Sequence, residues 1–572
     1  MKKRVLGFAS KIWPVLLLLI LLSPALAGAE GLAILPRAAG PAPAFLDTNL
    51  NKIFDDLENM MASSSATDSF PAIVVFNNPL DSPGRAGLQQ NIGYFPAKYE
   101  YQSIPAIAAT LTRQQIELLS KLPLVKHIEY DAPMKATMDT ASYWFGAAKA
   151  RADFGVTGDA NGTARSYGPG DIVIAVIDTG IDATHVDLDG GKVIGWKDFV
   201  NGKAAPYDDN GHGTHVSSIA AGEGDGNPAY TGVAPGAALV GVKVLDRRGS
   251  GYMSDVDAGI DWVIQNKAAY GVEIISMSLG SSGSSDGSDS TSLMVNKAVD
   301  SGITVVVAAG NEGPATYTIG SPAAAEKAVT VGAQGDPGHN GFFQAYFSSR
   351  GPTADGRTKP DISAPGRYIM AADANTGNGY IEYSGTSMAT PFASGTAALM
   401  LAANPALTSL DVKNLLMSTS WDWGPAGKDI DYGQGRLDTY EAVKAAGQFT
   451  GTGVATPAHY YIADSLPNTG YYDSYSITVA TLDPIAVTLI IPGWKALFPR
   501  GSTPDFNLYL YDPAGAQVAS ATGTQRQETI SFKPTRTGTY TLKVSSYAGA
   551  GNYFFDLSAG AASPALALND AR

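Results

Sequence analysis

Between Asp171 and Ala333 five apolar runs, DIVIAVID, ALVGVKVLD, VEIISMSLG, ITVVVAAGN and AVTVGA, are rich in β-branched residues and almost unbroken in hydrophobicity. A strand that is apolar on both faces needs cover on both faces, so these runs predict a mostly parallel sheet enclosed by helices. Helical spacing in SDVDAGIDWVIQNKA, and an all-round apolar small-residue helix in SMATPFASGTAALMLAANP, supply that cover. The expectation is an α/β domain with a doubly wound sheet over residues 139–448.

The flanks read differently. Upstream, FPAIVVF (Phe70–Phe76) is a strand, TLTRQQIELLSKL (Thr110–Leu122) an amphipathic helix opened by a Thr cap, and VKHIEY (Val125–Tyr130) a second strand. Together they make a small α+β unit within residues 30–138. Downstream, FTGTGVATPA (449–458) is a linker of small residues, Gly and Pro. After it SYSITVA, IAVTLIIP, DFNLYLYDPAG, ETISFKP, GTYTLKVSS and GNYFFDLSA alternate with period two between Gly, Pro and Asp turns. That pattern predicts an antiparallel sandwich or jelly roll over 459–560, followed by a tail at 561–572. His459 is its one histidine, so the module reads as binding or stabilising rather than catalytic.

Composition narrows the function. A net charge of −14 over 572 residues repels a phosphate backbone, which argues against nucleic-acid binding. The absence of cysteine removes thiol catalysis, thiolate metal sites and disulfides together. At the start, Lys2, Lys3, Arg4 and Lys11 precede an apolar run from Val15 to Leu22, and Ala25, Ala27 and Ala29 follow. A basic front, a short apolar middle and an A-x-A end are the parts of a secretory signal peptide, here residues 1–29. The run is shorter than the roughly 20 residues that span a bilayer, so no permanent membrane anchor is expected and the product is secreted and extracellular.

Two of the six histidines, His212 and His215, stand three apart in NGHGTHVSS. A helical zinc pair has spacing four with a Glu beside the first His, and this stretch has neither. A general base instead needs a carboxylate to orient the ring and a nucleophile within reach. Asp178 sits where the buried run DIVIAVID meets a Thr-Gly turn, the end of a strand at which open α/β sheets build their sites; helix capping is the ordinary alternative. Ser387, in YSGTSMATPFASG, opens the buried helix, whose free N–H groups and partial positive charge suit a developing oxyanion; a plain N-cap is the alternative. Pro391 removes one N–H and so leaves a carbonyl near residue 387 without its helical partner. Asn311, in VVVAAGNEG, lies between Gly310 and Gly313; its amide and the backbone N–H of Ser387 would make a two-donor oxyanion hole, and a routine Asn turn is the alternative.

VIDTGID, GHGTHV, AAGNEG and SGTSMATP occur in the order Asp, His, Ser, and with them the sequence resembles the subtilisin-like serine proteases. The resemblance implies Asp178 as orienter, His212 as base, Ser387 as nucleophile and Asn311 as oxyanion donor, with His215 packed behind the site. It also implies that Ser278, Leu279 and Gly280 pair with the substrate backbone. Ala308, Ala309 and Gly310 would line the opposite wall of the first specificity pocket, with Glu312 at its mouth. Tyr252 and Met253 would lie near a further apolar pocket.

The segment ATLTRQQIELLSKLPLVKHIEYD is similar to that family's inhibitory prodomain, which implies a zymogen whose own propeptide blocks the cleft until it is cut between about Tyr130 and Thr140. DFNLYLYDPAG and GTYTLKV resemble the prepeptidase C-terminal modules of exported peptidases. Structural calcium is expected, because ions that bind only the folded state stabilise a secreted domain lacking disulfides. Asp187 matches a calcium ligand of the family. Asp47, Asn49, Asn51, Asp55 and Glu58 occupy positions 1, 3, 5, 9 and 12 of a calcium loop, although Lys52 stands where its sharp turn wants Gly. The expected protein is therefore a monomeric secreted serine endopeptidase acting on protein and peptide substrates. The alternative is a catalytically silent surface or adhesion protein that keeps the fold. The acid-acting serine-carboxyl peptidases share the GTS serine but use Glu and Asp where this chain has His212 and Asn311.

Overall fold

The structure, a computed structural model, describes residues 51–62, 64–80, 82–100, 105–130, 138–495 and 503–560. The signal peptide, Asp47, Asn49, residues 131–137 of the maturation region and the tail lie outside the described residues, and Asp55 is described in its backbone alone.

The first unit consists of α1 (Asp55–Met61), β1 (Ser69–Phe76), α2 (Ser82–Ile92), β2 (Ala97–Glu100), β3 (Ala106–Thr112), α3 (Arg113–Ser120) and β4 (Val125–Tyr130). Its four strands form a sheet in the order β2-β3-β1-β4. Leu57, Leu88, Ile116 and Leu119 of the helices share a core with Val74, Leu111 and Ile128 of the strands. The Thr cap is Thr112, which accepts from the Gln115 N–H while the Gln115 side chain accepts from Thr112. The helix is therefore shorter than its spacing suggested: residues 110–112 finish β3, whose AIAATLT run satisfies strand pairing before the cap turns the chain.

The second unit contains α4 (Met138–Trp144), α5 (Ala147–Phe154), β5 (Val173–Asp178), β6 (Val193–Asp198), α6 (His212–Ala221), β7 (Ala238–Lys243), α7 (Met253–Tyr270), β8 (Val272–Met277), α8 (Ser290–Asp300) and β9 (Thr304–Ala308). It continues with β10 (Val329–Gln334), β11 (Ile362–Pro365), β12 (Ile369–Ala372), β13 (Tyr380–Tyr383), α9 (Thr386–Ala403), α10 (Ser409–Ser418) and α11 (Thr439–Gly447). Seven strands run in the order β11-β10-β9-β8-β5-β7-β6, and every pairing is parallel. Strand β5 shows why the runs were apolar throughout. Val173, Ala175 and Ile177 pack with Ile260 and Val263 of α7 and Val295 of α8, whereas Ile174 and Val176 pack with Ile219 of α6 and Phe392 of α9. From β5 the strand order proceeds in both directions, so Asp178 ends the strand at the point where the winding reverses. Strands β6 and β11 lay outside the five runs: β6 is a half-buried edge strand and β11 spans four residues, so neither produces a long apolar signal.

The third unit is β14 (Ala458–Leu466), β15 (Tyr472–Val479), β16 (Ile485–Ile490), β17 (Asp505–Tyr511), β18 (Gln517–Ala521), β19 (Gln527–Phe532), β20 (Gly538–Ala548) and β21 (Gly551–Ala559). Two antiparallel sheets, β14-β21-β16-β19 and β15-β20-β17-β18, enclose Ile477, Val487, Leu508, Leu542 and Phe555. Six of these strands follow the alternating runs. The other two are β14, whose AHYYIADSL breaks strict alternation, and β18, whose QVASA is short and mostly small or polar.

Candidate active site

Asp178 is the last residue of β5 and is buried. One carboxylate oxygen accepts from the Thr179 N–H at 2.7 Å and faces His212 Nδ1, also at 2.7 Å. The turn beyond it requires glycine, since Gly180 has φ +130° and a Cβ there would lie 2.1 Å from the Tyr207 carbonyl oxygen. His212 opens α6 behind Gly211, which is left-handed with φ +103°. Asp208 fixes this junction, accepting from Gly211 N at 2.9 Å, from the Thr214 N–H and hydroxyl at 2.9 and 2.8 Å, and from the Thr179 hydroxyl at 3.0 Å. Strand end and helix start are thus locked together without help from the His–Asp pair.

Burial opposes a charge on His212, but the negative charge of Asp178 and the hydrogen bond to it outweigh burial, so its pKa is raised above the ordinary value. Because Nδ1 donates to the carboxylate, the neutral ring carries its lone pair on Nε2, the atom a base needs. His215 has the opposite surroundings. It is buried, its Nε2 lies 3.0 Å from the Ile381 carbonyl oxygen, and its ring lies 4.5 Å from that of Tyr383. Burial, and then the neighbouring charge of His212, push its pKa down to about 3, so it stays neutral and fastens α6 to β13.

Helix α9 packs against α6 and begins with Gly385 as its cap and Ser387 in its first turn. Pro391 removes the helical donor to the Ser387 carbonyl, and the Ser278 hydroxyl replaces it at 2.7 Å. In return the Ser387 hydroxyl donates to the Ser278 carbonyl at 3.2 Å. Among the described residues no hydrogen bond joins His212 to Ser387; such bonds are often long before substrate binds. Asn311 lies across the same helix mouth. Its carbonyl oxygen accepts from the Thr386 N–H at 2.9 Å and the Thr386 hydroxyl at 3.1 Å, which fixes the side-chain amide at that mouth.

The structure also locates the remaining expected residues. Ser278 is buried, Leu279 half-buried and Gly280 exposed, so this segment leaves the sheet toward solvent. Ala308 and Ala309 are buried at the end of β9, and Gly310 takes φ +107°. Glu312 Oε2 accepts from the Gly283 N–H at 2.8 Å, tying the turn after β9 to the loop after β8. Tyr252 and Met253, at the start of α7, are 78% and 44% exposed. Asp187 is buried with both oxygens accepting from the Tyr380 hydroxyl at 3.1 and 3.0 Å and one also from Gly226 N at 3.1 Å. In the upstream loop Lys52 has φ +70°, the left-handed turn a calcium loop usually gives to Gly, but the Asn51 amide donates to Glu58 at 2.8 Å. Among the described residues no group of three His, Asp or Glu is placed to hold a metal ion.

Sequence reasoning left out Asp208, Thr386 and the hydroxyl of Ser278. The first had a signal, an Asp three residues before Gly211 in an Asx-type turn. The other two act through contacts between segments about 75 and 109 positions apart, which no local pattern reveals.

Comparison with known proteins bears on the family. Residues 170–435 match the subtilase family, residues 48–115 the Tk-SP N-propeptide domain, and residues 471–546 the bacterial pre-peptidase C-terminal domain. The serine protease AprX of Bacillus subtilis is 38% identical over 369 residues, covering 60% of this chain and 80% of the relative. Subtilisin E of the same species is 34% identical over 396 residues, 68% of this chain and 94% of the relative. The chain belongs to the subtilase family. This subtilase is a serine endopeptidase made as a precursor with its own propeptide. A thermostable alkaline protease of Halalkalibacterium halodurans is similar too, 37% identical over 325 residues, or 56% of this subtilase and 79% of the relative. The silent-protein alternative finds no support among these matches.

Proposed function

We propose that this subtilase cleaves peptide bonds with Asp178, His212 and Ser387 as its triad and Asn311 as an oxyanion donor. The observation that carries the reading is the 2.7 Å Asp178–His212 bond at the carboxyl end of the central strand, beside the mouth of α9. A substrate entering the cleft pairs its backbone with residues 278–280 and places its carbonyl carbon over Ser387. The Ser387 oxygen attacks that carbon while His212 Nε2 takes the hydroxyl proton, and Asp178 stabilises the imidazolium. The Asn311 NH2 and the Ser387 N–H hold the oxyanion. His212 then gives its proton to the departing amine, leaving an acyl-enzyme. Water attacks with the roles reversed and releases the second product. Ser387 turns from its Ser278 acceptor to His212 as substrate binds.

The N-terminal unit serves as intramolecular inhibitor, and maturation cuts between about Tyr130 and Thr140, around the start of α4. Export through residues 1–29 fits a cysteine-free chain in which no described helix is long and apolar enough to cross a membrane. Residues 30–138, 139–448 and 459–560 are propeptide, catalytic domain and C-terminal domain, and the mature enzyme acts as a monomer. Calcium is a stabilising ion of this acidic chain, with the buried carboxylate of Asp187 as a candidate ligand.

The test compares purified wild type with Ser387→Ala by intact mass and casein hydrolysis, with and without a chelator. Wild type is expected to lose the residues before about position 138 and to hydrolyse casein; the variant is expected to stay full length and inert. Equal processing and hydrolysis in both would overturn the nucleophile. Chelation is expected to lower thermal stability while leaving the initial rate unchanged.

A further inference from the structure

Asp208 stands buried in the turn that precedes α6, and the donors it accepts from are all neutral. One carboxylate oxygen accepts from the Asn210 and Gly211 N–H groups at 3.1 and 2.9 Å and from the Thr179 hydroxyl at 3.0 Å; the other accepts from the Thr214 N–H and hydroxyl. The two hydroxyls pass this hold onward. Thr179 Oγ1 accepts from the Gly213 N–H at 2.8 Å, and Thr214 Oγ1 from the Asp182 N–H at 2.9 Å. The residues fixed in this way are the chain neighbours of the His–Asp pair: Thr179 follows Asp178, and Gly211 and Gly213 flank His212. Gly213 is pressed so closely on the strand end that a Cβ there would sit 2.1 Å from the Gly180 carbonyl oxygen. The His212 ring itself is hydrogen-bonded, among the described residues, to Asp178 alone.

The other charged and titratable groups around the pair are engaged elsewhere. Lys243, which stands opposite Asp178 on β7 and is buried, donates to Asp209 at 2.7 Å and to the Thr179 and Leu245 carbonyls at 2.5 and 2.9 Å. Asp182 accepts from the Thr184 N–H and hydroxyl and from the Asn375 N–H. His215, three residues along α6, is neutral above about pH 3, and burial keeps the Tyr383 phenol protonated. Burial opposes a charged His212 ring, while the charge and hydrogen bond of Asp178, and after them the charge of Asp208, favour it. We propose that Asp208 is a positioning residue for the peptidase reaction, a second carboxylate that fixes where the His212 ring stands and whose charge favours the imidazolium formed in the transition state. The proposal rests on the triad reading and deepens it: Asp178 selects the tautomer, and Asp208, without touching the ring, holds the two backbone segments that bring ring and carboxylate together.

The test compares wild type with Asp208→Asn, Thr179→Val, Thr179→Ser and Asp178→Asn, each freed of the propeptide by an added protease. Peptide-substrate kcat and KM are measured per active site, counted with a fluorophosphonate, together with the pH dependence of kcat/KM and the melting temperature. Asp208→Asn is expected to lower kcat about 10–100-fold with KM within about twofold of wild type, and to move the acid limb about half a pH unit lower, because the base loses a charge that favours its protonated form. Thr179→Val leaves the Asp208 charge in place but cuts the link to Gly213. It is expected to lower kcat about tenfold with the acid limb unmoved, and Thr179→Ser is expected to restore the rate. If Asp208→Asn melts lower yet keeps the wild-type kcat and acid limb per active site, Asp208 is structural only and the proposal is overturned. Wild-type turnover in Thr179→Val overturns it as well, and this pair of variants carries the test where Asp208→Asn does not fold. Asp178→Asn separates the proposal from the reading beneath it: full activity there refutes the triad, whereas a collapse there beside an unaffected Asp208→Asn refutes the role of Asp208 alone.

Discussion

Two histidine–aspartate pairs of nearly equal length occupy different parts of this molecule. His212 and Asp178 are 2.7 Å apart in the α/β domain, and His459 and Asp556 are 2.8 Å apart where the sandwich meets it. Both carboxylates are buried, and each accepts one backbone N–H besides, from Thr179 and Gly424 respectively. The difference lies in what each ring does with its other side. His459 lies against Trp423, so the pair holds two domains together. His212 opens a helix that packs on α9, with Ser387 in the first turn of that helix and the Asn311 NH2 across its mouth. A His–Asp pair is thus not a site in itself; a nucleophile and an oriented donor make it one.

The same substitution in each pair breaks or sharpens that contrast most strongly. Asp178→Asn is expected to lower kcat about 10^4-fold, because the amide no longer selects the tautomer with a free Nε2. Asp556→Asn is expected to leave kcat unchanged and to lower the melting temperature. Peptide-substrate kinetics on both variants check this, and equal losses would erase the distinction. Next in size, Asn311→Ala is expected to lower kcat by about 10²–10³-fold with little change in KM, since the lost donor serves the transition state. A rise in KM alone would recast Asn311 as a substrate-binding residue.

The pH profile comes third. His212 must be neutral to accept a proton, and Asp178 favours its charged form. Activity is therefore lost as pH falls through a value above the ordinary 6.5, about tenfold per pH unit below it. A kcat/KM profile whose acid limb lies below 6.5 would contradict the raised value. The smallest effect belongs to His215. Its folded pKa of about 3 lies below the unfolded value of about 6.5, so between these values the unfolded chain binds the extra proton. Stability is then full above about pH 6.5 and declines as pH falls toward 3. Melting temperatures of Ser387→Ala and of His215→Asn in that background, measured from pH 7 to 4, are expected to show the flatter dependence in the double variant.

Much of this was legible in the chain because the relevant signals are local. The continuous runs announced a covered parallel sheet, since every residue of β5, β7, β9 and β10 is buried. The strand-end Asp178, the helix-mouth Ser387 and the turn residue Asn311 stood inside short motifs. Pro391 announced an orphan carbonyl, but its partner, the Ser278 hydroxyl, was invisible because it comes from a strand end 109 positions away. Edge strand β6 and the short β11 escaped notice because half-burial and brevity weaken periodicity. The sandwich was recognised as a module while its docking was not: Arg526 reads as an ordinary surface charge until Asp431, 95 positions away, is placed against it. His459 likewise looked idle in a module poor in catalytic groups, and its work is to join that module to its neighbour.

The most direct measurement is covalent labelling by a serine-directed fluorophosphonate, located by peptide mass, on wild type and variants alike freed of the propeptide by an added protease. The expected result is one adduct on Ser387, formed at the wild-type rate in His459→Gln, at least about a thousandfold more slowly in His212→Gln, and absent in Ser387→Ala. An adduct on another residue, or labelling of Ser387 that is indifferent to His212, would contradict the assignment of Asp178, His212 and Ser387 as one catalytic unit.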